Sequence, residues 1–197
     1  MQKIKEHVNL FLEKQNTCFE KLSSQSEIIT KIINLLIKTR DNGKNIYVMG
    51  NGGSGSTASH FVSDLLKTAI TKGNKRFSAI SLVDNTPVLL AWSNDSSYEE
   101  IFVEQLRNLL SKGDVVIAFS GSGKSKNIIK AFKFAKKNGA YCIGFTGMNG
   151  GYFPKLSDIC CVVNNDDMLI IESAHLALCH CIITAIRKLG NPIFKYE

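Results

Sequence analysis

Two glycine- and serine-rich turns and two stretches carrying histidine and carboxylate side chains hold the residues whose types could do chemistry. The first turn is Gly50-Asn51-Gly52-Gly53-Ser54-Gly55-Ser56. Glycines let a backbone approach an anion closely, and a helix starting after them offers N–H groups that lack intrahelical partners. The segment matches G-x-G-x-x-G, a weak signal by itself. A dinucleotide site also needs an acidic residue near the end of the next strand, and the residue there, Asp84, falls too far along. Asn51 and Ser54 instead suit polar contacts to a hydroxylated ligand. The second turn is Ser120-Gly121-Ser122-Gly123-Lys124-Ser125. It imitates the end of a P-loop, but the first glycine of that motif would fall at Ala118. The hydroxyls of Ser120, Ser122 and Ser125, with backbone N–H groups at a helix start, make a seat for one phosphate.

The histidines add acid–base and metal chemistry. His60 and Asp64 are spaced i, i+4 on the helix expected after the first turn, so they share a face. Such a pair holds a metal or orients its own members. Near the C-terminus, Glu172, His175 and His180 interrupt the apolar run IIESAHLALCHCII. A lone histidine there reads as a satisfied core residue. Glutamate and histidine together need partners, because burying an unpaired charge is costly. His180 is expected to be functional, and for His175 both readings stay open.

The elements that must position these residues follow from hydrophobic periodicity. Residues 2–39 read as helical, with apolar residues recurring at helical spacing from Ile4 to Ile37. Short apolar strands are expected at 45–50, 77–83, 114–120, 141–146 and 158–163, and helices at 54–70, 87–92, 98–110, 126–138 and 168–189. Strands apolar throughout, alternating with helices, indicate a parallel sheet covered on both faces. The expected fold is a doubly wound, five-stranded α/β domain over 1–197, with 1–39 as an N-terminal helical extension. Ligands in such folds bind beyond the carboxyl ends of the strands, where both turns lie.

Composition narrows the class. The chain has 197 residues, 44% hydrophobic and 21% charged, ordinary for a globular protein. No apolar run looks long enough to span a bilayer, and the N-terminus lacks the continuous apolar stretch of a signal peptide, so a cytoplasmic location is expected. The six cysteines form no C-x-x-C pair and read as buried, reduced thiols. The net charge of +7 is spread over scattered lysines without interleaved aromatics, which favours an anionic small molecule over nucleic acid.

Four motifs together are similar to the sugar isomerase (SIS) domain. They are GNGGS after a strand, His60-Phe61 ahead of the carboxylate Asp64, Ser93-Asn94-Asp95 ahead of an aromatic, and S-x-S-x-x-S after the third strand. Within that domain the chain resembles the phosphoheptose isomerases, from about residue 30 to 190. The resemblance implies a flavodoxin-like fold, a homotetramer with sites between subunits, and interconversion of sedoheptulose 7-phosphate and D-glycero-D-manno-heptose 7-phosphate, as in supply of heptose for lipopolysaccharide or capsule. It implies zinc on His60, Asp64, Glu172 and His180. The reaction needs a base at carbon and an acid at oxygen. Asp64 is assigned as the base and His180 as the acid, with Glu172 the competing base. Ser120, Gly121, Ser122 and Ser125 would seat the phosphate, and Asn51, Gly52, Gly53, Ser54, Asn94, Asp95 and Glu172 would contact the sugar. Asp64 stands where the family usually has Glu, Glu172 where it has Gln, and Leu169 where it has Asp. The rival readings are a binding module, either a phosphosugar sensor or a replication-initiator-binding SIS protein, and an isomerase of another ketose phosphate.

Overall fold

The computed structural model describes residues 1–195. Five strands, β1 (Asn45–Gly50), β2 (Ser78–Ser81), β3 (Val115–Ser120), β4 (Tyr141–Gly147) and β5 (Ile159–Val163), form one all-parallel sheet in the order β2-β1-β3-β4-β5. This is the doubly wound arrangement expected. Every residue of β3 is buried, because helices cover both faces of a parallel sheet. Side-chain alternation splits each strand between two cores. Ile46, Val48, Val115, Ile117 and Phe119 belong to one. Tyr47, Met49, Val116 and Ala118 belong to the other.

The first core is closed by α2 (Ser26–Asp41), α3 (Gly53–Ser63) and α8 (Met168–Lys188). The second is closed by α5 (Val103–Leu109), α6 (Lys126–Lys137) and the short α7 (Phe153–Leu156). α6 shows why the pattern folds as it does. Ile128, Ala131, Phe132 and Ala135 face the sheet, the lysines face water, and Gly139 at φ 76° ends the helix. α4 (Thr86–Asp95) starts at Asn85, whose side chain accepts a hydrogen bond from the Val88 N–H, with Pro87 in its first turn.

Four expectations are corrected here. The helix over 2–39 is broken into α1 (Gln2–Leu22) and α2 by a 3₁₀ turn at Ser23–Gln25. The helix over 54–70 gives way at Asp64 to a π-helical turn, Asp64–Thr68. The stretch from Tyr98 becomes helical only at Val103. α8 is long and apolar enough, by length and composition, to cross a membrane, with mean hydropathy 1.8 and half of that stretch buried in the fold. It is the central helix of the first core, which demands the same apolarity as a membrane span.

All six cysteines are free. Burial pushes the Cys142 and Cys161 thiols up to about 12 and that of Cys160 up to about 11, so they stay protonated. Cys181, expected to be buried, is exposed on α8.

Candidate functional site

The strand order reverses direction between β1 and β3, because β1 is followed in sequence by the edge strand β2 but lies beside β3. The glycine turn ends β1 and the serine turn ends β3. Both therefore flank the crevice where ligands bind in doubly wound folds. A cavity of about 290 Å³ opens there. The glycine turn contributes Asn51, Gly52, Gly53 and Ser54 to its wall. The serine turn contributes Ser120, Gly121, Ser122 and Ser125, and α8 contributes Met168 and Glu172. All the expected ligand-contacting residues except Asn94 and Asp95 thus meet in one place.

The serine turn gathers three hydroxyls at the start of α6. Ser120 Oγ lies 3.2 Å from Ser125 Oγ and accepts the Gly123 N–H at 3.2 Å. Ser122 Oγ accepts the Lys124 N–H at 3.2 Å. Ser125 occupies the N-cap of α6 without a side-chain capping bond, so the positive end of the helix dipole faces the cavity uncapped by its own serine. Gly123 sits at φ 61°, and a Cβ there would collide with the Gly150 carbonyl. Gly53 is required for a different reason: a Cβ would run into the Glu172 carboxylate. α3 and α8 approach closely at that point.

The second cluster lies two helical turns further along the same pair of helices. His60 Nε2 and His180 Nε2 are 2.9 Å apart. Asp64 Oδ2 is 3.4 Å from His60 Nε2 and 3.9 Å from His180 Nε2. Thr68 Oγ1 donates to Asp64 Oδ1 at 2.8 Å, within the π-helical turn, and leaves Oδ2 turned toward the imidazoles. Single π turns inside helices recur at functional sites because they re-aim side chains. Both histidines are half-exposed, and Asp64 is mostly covered.

Two imidazoles and a carboxylate with ligand atoms all within 4.8 Å of one another suit a divalent ion. Two nitrogens on a tetrahedral zinc would stand ~3.3 Å apart, close to the observed spacing. Three protein ligands leave one position open, as in catalytic zinc sites. The donor set therefore fits the metal the sequence suggests. Glu172 is the correction: the expected four-residue ligand set is gathered only as three. Eight residues separate Glu172 from His180, roughly 12 Å of helix, and Glu172 lies in the serine-turn cavity against Gly53 instead.

Asn94 and Asp95 are also placed elsewhere within one chain. They stand exposed at the end of α4, beyond the edge strand, with Asn94 Nδ2 donating to Asp95 Oδ1 at 2.8 Å. His175 resolves to the core. It is 1% exposed, and its ring centroid lies 5.8 Å from that of Phe119 and 6.3 Å from that of Phe145. Among the described residues neither ring nitrogen finds a hydrogen-bond partner of normal geometry. Burial pushes His175 down to about 4, the Thr146 backbone opposing in part. Its folded value is below its unfolded one, so the unfolded chain binds the extra proton and stability falls as pH drops from about 6.5 to about 4. The loss expected over that window is about 3 kcal/mol. Urea unfolding of the wild type and His175→Leu across pH 4–7 checks it: the variant should lack that share of the acid sensitivity, and parallel curves would contradict it.

Sequence reasoning missed Asn127 and Tyr98. Both hydrogen-bond to Asn51, Asn127 from the first turn of α6 and Tyr98 through its hydroxyl. The available signal was a polar residue, Asn127, at a position whose neighbour Ile128 is core.

Comparison with known proteins agrees with this geometry. Residues 10–147 match the SIS domain family. Over 178 residues the chain is 37% identical to a phosphoheptose isomerase of Helicobacter pylori strain P12, covering 90% of this chain and 92% of that one. It is 37% identical over 177 residues to a phosphoheptose isomerase of Aliarcobacter butzleri, covering 89% and 93%. Among solved structures, a phosphoheptose isomerase from Francisella tularensis superposes with a TM-score of 0.87 at 26% identity, covering 93% of this chain and 97% of that one. One from Neisseria gonorrhoeae gives 0.88 at 26% identity, covering 94% and 99%. The family match over residues 10–147 and the 37% identity across nine-tenths of the chain show that it belongs to the phosphoheptose isomerase family of SIS-domain proteins.

Proposed function

We propose that this chain is an aldose–ketose isomerase that converts sedoheptulose 7-phosphate to D-glycero-D-manno-heptose 7-phosphate. The observations that carry the reading are a cavity at the serine turn and, two helical turns further along α3 and α8, the cluster of His60, Asp64 and His180. The phosphate binds at Ser120, Ser122, Ser125 and the start of α6. The sugar then runs past Asn51, Gly52, Gly53, Ser54 and Glu172 toward Asp64 and His180. Asp64 Oδ2 takes the proton from carbon 1, and His180 supplies one to the carbonyl oxygen at carbon 2, giving an ene-diol. Asp64 returns its proton to carbon 2 while the proton on oxygen 1 goes back to His180, which completes the aldose and restores both groups. His60, Asp64 and His180 would hold a zinc ion that polarises the carbonyl; an imidazole nitrogen bound to zinc has no proton to give, so zinc and the proton from His180 would be alternative ways of stabilising the same oxyanion. Thr68 keeps Asp64 Oδ2 aimed at this point, and the covered carboxylate gains from the low local polarity.

The test is a substrate panel of pentulose, hexulose and heptulose phosphates. The expected result is the highest kcat/KM with the heptulose. A preference for another ketose phosphate would move the substrate and leave the reaction class. The phosphate seat has its own check. Ser122→Ala and Ser125→Ala should each weaken phosphosugar binding roughly tenfold, since one hydrogen bond to a charged partner contributes about 1.5–3 kcal/mol. Unchanged affinity by calorimetry in both variants would remove the phosphate from this turn.

We read the chain as one SIS domain with a helical extension that assembles into a homotetramer. Ile4, Val8, Leu10 and Leu12 of α1 are exposed apolar residues. A separate apolar groove of about 420 Å³ lies between the first two helices and α8, lined by Phe19, Leu22, Ile29, Ile33, Leu178 and Cys181. Exposed apolar surface of this kind marks an interface. Light scattering at micromolar concentration should give a mass near four chains, and a monomer would contradict it. Nucleic acid is not part of the reading. The α6 lysines Lys126, Lys130 and Lys136 pair with Glu99, Glu100 and Asp158, so α6 offers no unpaired basic stripe from those positions.

A further inference from the structure

The two ligand-facing turns are tied together by a pair of asparagines. Asn51 lies in the glycine turn, and Asn127 is the second residue of α6, directly beyond the serine turn. Asn127 Nδ2 donates to Asn51 Oδ1 at 2.8 Å, and Asn51 Nδ2 donates back to Asn127 Oδ1 at 3.1 Å. The pair is reciprocal, and the two residues are 76 positions apart in sequence. Asn127 is 2% exposed.

The surroundings fix which way each amide faces. The Ile128 N–H donates to Asn127 Oδ1 at 3.0 Å, so that end of the Asn127 amide must be oxygen. Its NH₂ group then faces Asn51, and only the oxygen of Asn51 can receive it. Tyr98 OH donates to the same oxygen at 2.8 Å. A flipped Asn51 would set donor against donor at Asn127 Nδ2 and acceptor against acceptor at Asn127 Oδ1. The Asn51 oxygen is thus occupied by two donors. Its nitrogen carries two N–H groups and uses one on Asn127, so the other is what Asn51 can offer a ligand. Asn51 lines the cavity with Ser120, Ser122 and Glu172.

We propose that Asn127 is a positioning residue of the phosphosugar site. It fixes the amide of Asn51 so that a hydrogen-bond donor, not an acceptor, meets a sugar oxygen. Asn127 itself acts through Asn51 and does not touch the sugar. The proposal rests on the isomerase reading above.

The experiment is a double-mutant cycle. Asn127→Asp keeps the size and the acceptor for the Ile128 N–H but cannot donate to Asn51. KM and kcat for sedoheptulose 7-phosphate, and the Kd of inorganic phosphate, are measured for the wild type, Asn127→Asp, Asn51→Ala and the double variant. Asn127→Asp should raise KM about tenfold, the scale of one hydrogen bond lost or misdirected. The new carboxylate at the start of α6 repels phosphate, so the uncharged Tyr98→Phe carries the phosphate control and should keep wild-type affinity for inorganic phosphate within about twofold. In the Asn51→Ala background the same change should add less than about twofold to KM, since the two residues act as one unit. A purely structural tie would instead lower the melting temperature and weaken phosphate and sugar binding alike. A wild-type KM in Asn127→Asp, or full penalties that multiply in the double variant, overturns the proposal. If Asn127→Asp does not fold, Tyr98→Phe removes one donor to the same oxygen and takes its place in the cycle, with an expected rise of about threefold. A wild type that turns over no heptulose phosphate defeats the isomerase reading instead, and the cycle is then read on the Kd of sedoheptulose 7-phosphate.

Discussion

His180→Gln is expected to lose about 10²–10⁴ of the isomerisation rate, the usual cost of removing a general acid or base. The folded structure should survive, because His180 is half-exposed and outside the buried core of α8. Asp64→Asn should fall as far. It keeps the shape of the side chain and the acceptor for Thr68 Oγ1 but loses the charge that Oδ2 presents to His60 and His180. Glu172→Gln should keep substantial activity, within about tenfold of the wild type, since Glu172 lines the phosphate cavity and stands apart from the histidine cluster. Steady-state kinetics with circular dichroism on the three variants decide the assignment. A dead Glu172→Gln beside an active Asp64→Asn would make Glu172 the base. Normal turnover in all three would remove the catalytic groups from these helices and leave the isomerisation to other residues.

Metal removal is expected to be the other large effect. Protein purified without chelator should carry divalent metal, zinc foremost, bound by His60, Asp64 and His180. A Lewis acid at a developing oxyanion supplies several kcal/mol, so chelation should cost on the order of 10²-fold in kcat, restored by added zinc. Metal analysis of His60→Ala separates binding from chemistry. That variant should lose the ion while phosphate still binds at the serine turn, about as tightly as in the wild type. Full activity after exhaustive chelation, with no metal found in the untreated protein, would contradict the metal assignment.

How much of this could be read from the sequence depends on which residues speak for themselves. The five strands were legible because a strand buried on both faces must be apolar throughout, and turns full of glycine and serine separate them from helices. The crevice followed from topology, since the two turns that combine glycine with serine, at Gly50 and Ser120, end neighbouring strands and open helices. Helix interruptions were hidden because periodicity carries through them. Ile28 to Ile37 continues the apolar rhythm of α1 across the 3₁₀ turn, and Leu65 and Ala69 continue that of α3 across the π turn. Asp64 lacks the reach of a glutamate, and the local widening of the helix coincides with its approach to both imidazoles. The separation of Glu172 from His180 was calculable from helix rise, yet only the packing of α3 on α8 decides which of them meets His60. Asn127 was invisible for a different reason: its partner lies in another turn, and nothing in one sequence marks a pair of amides that face each other.

Isomerisation, and not phosphosugar binding alone, is the activity expected of the serine-turn cavity and the His60, Asp64 and His180 cluster. Incubating the purified, metal-loaded protein with sedoheptulose 7-phosphate and following the sugar by proton NMR tests it most directly. The account requires anomeric protons of a new aldose heptose phosphate to grow in until an equilibrium mixture is reached, at a rate abolished in His180→Gln. Saturable binding of the heptulose phosphate by calorimetry, with no aldose formed at any time, would contradict it.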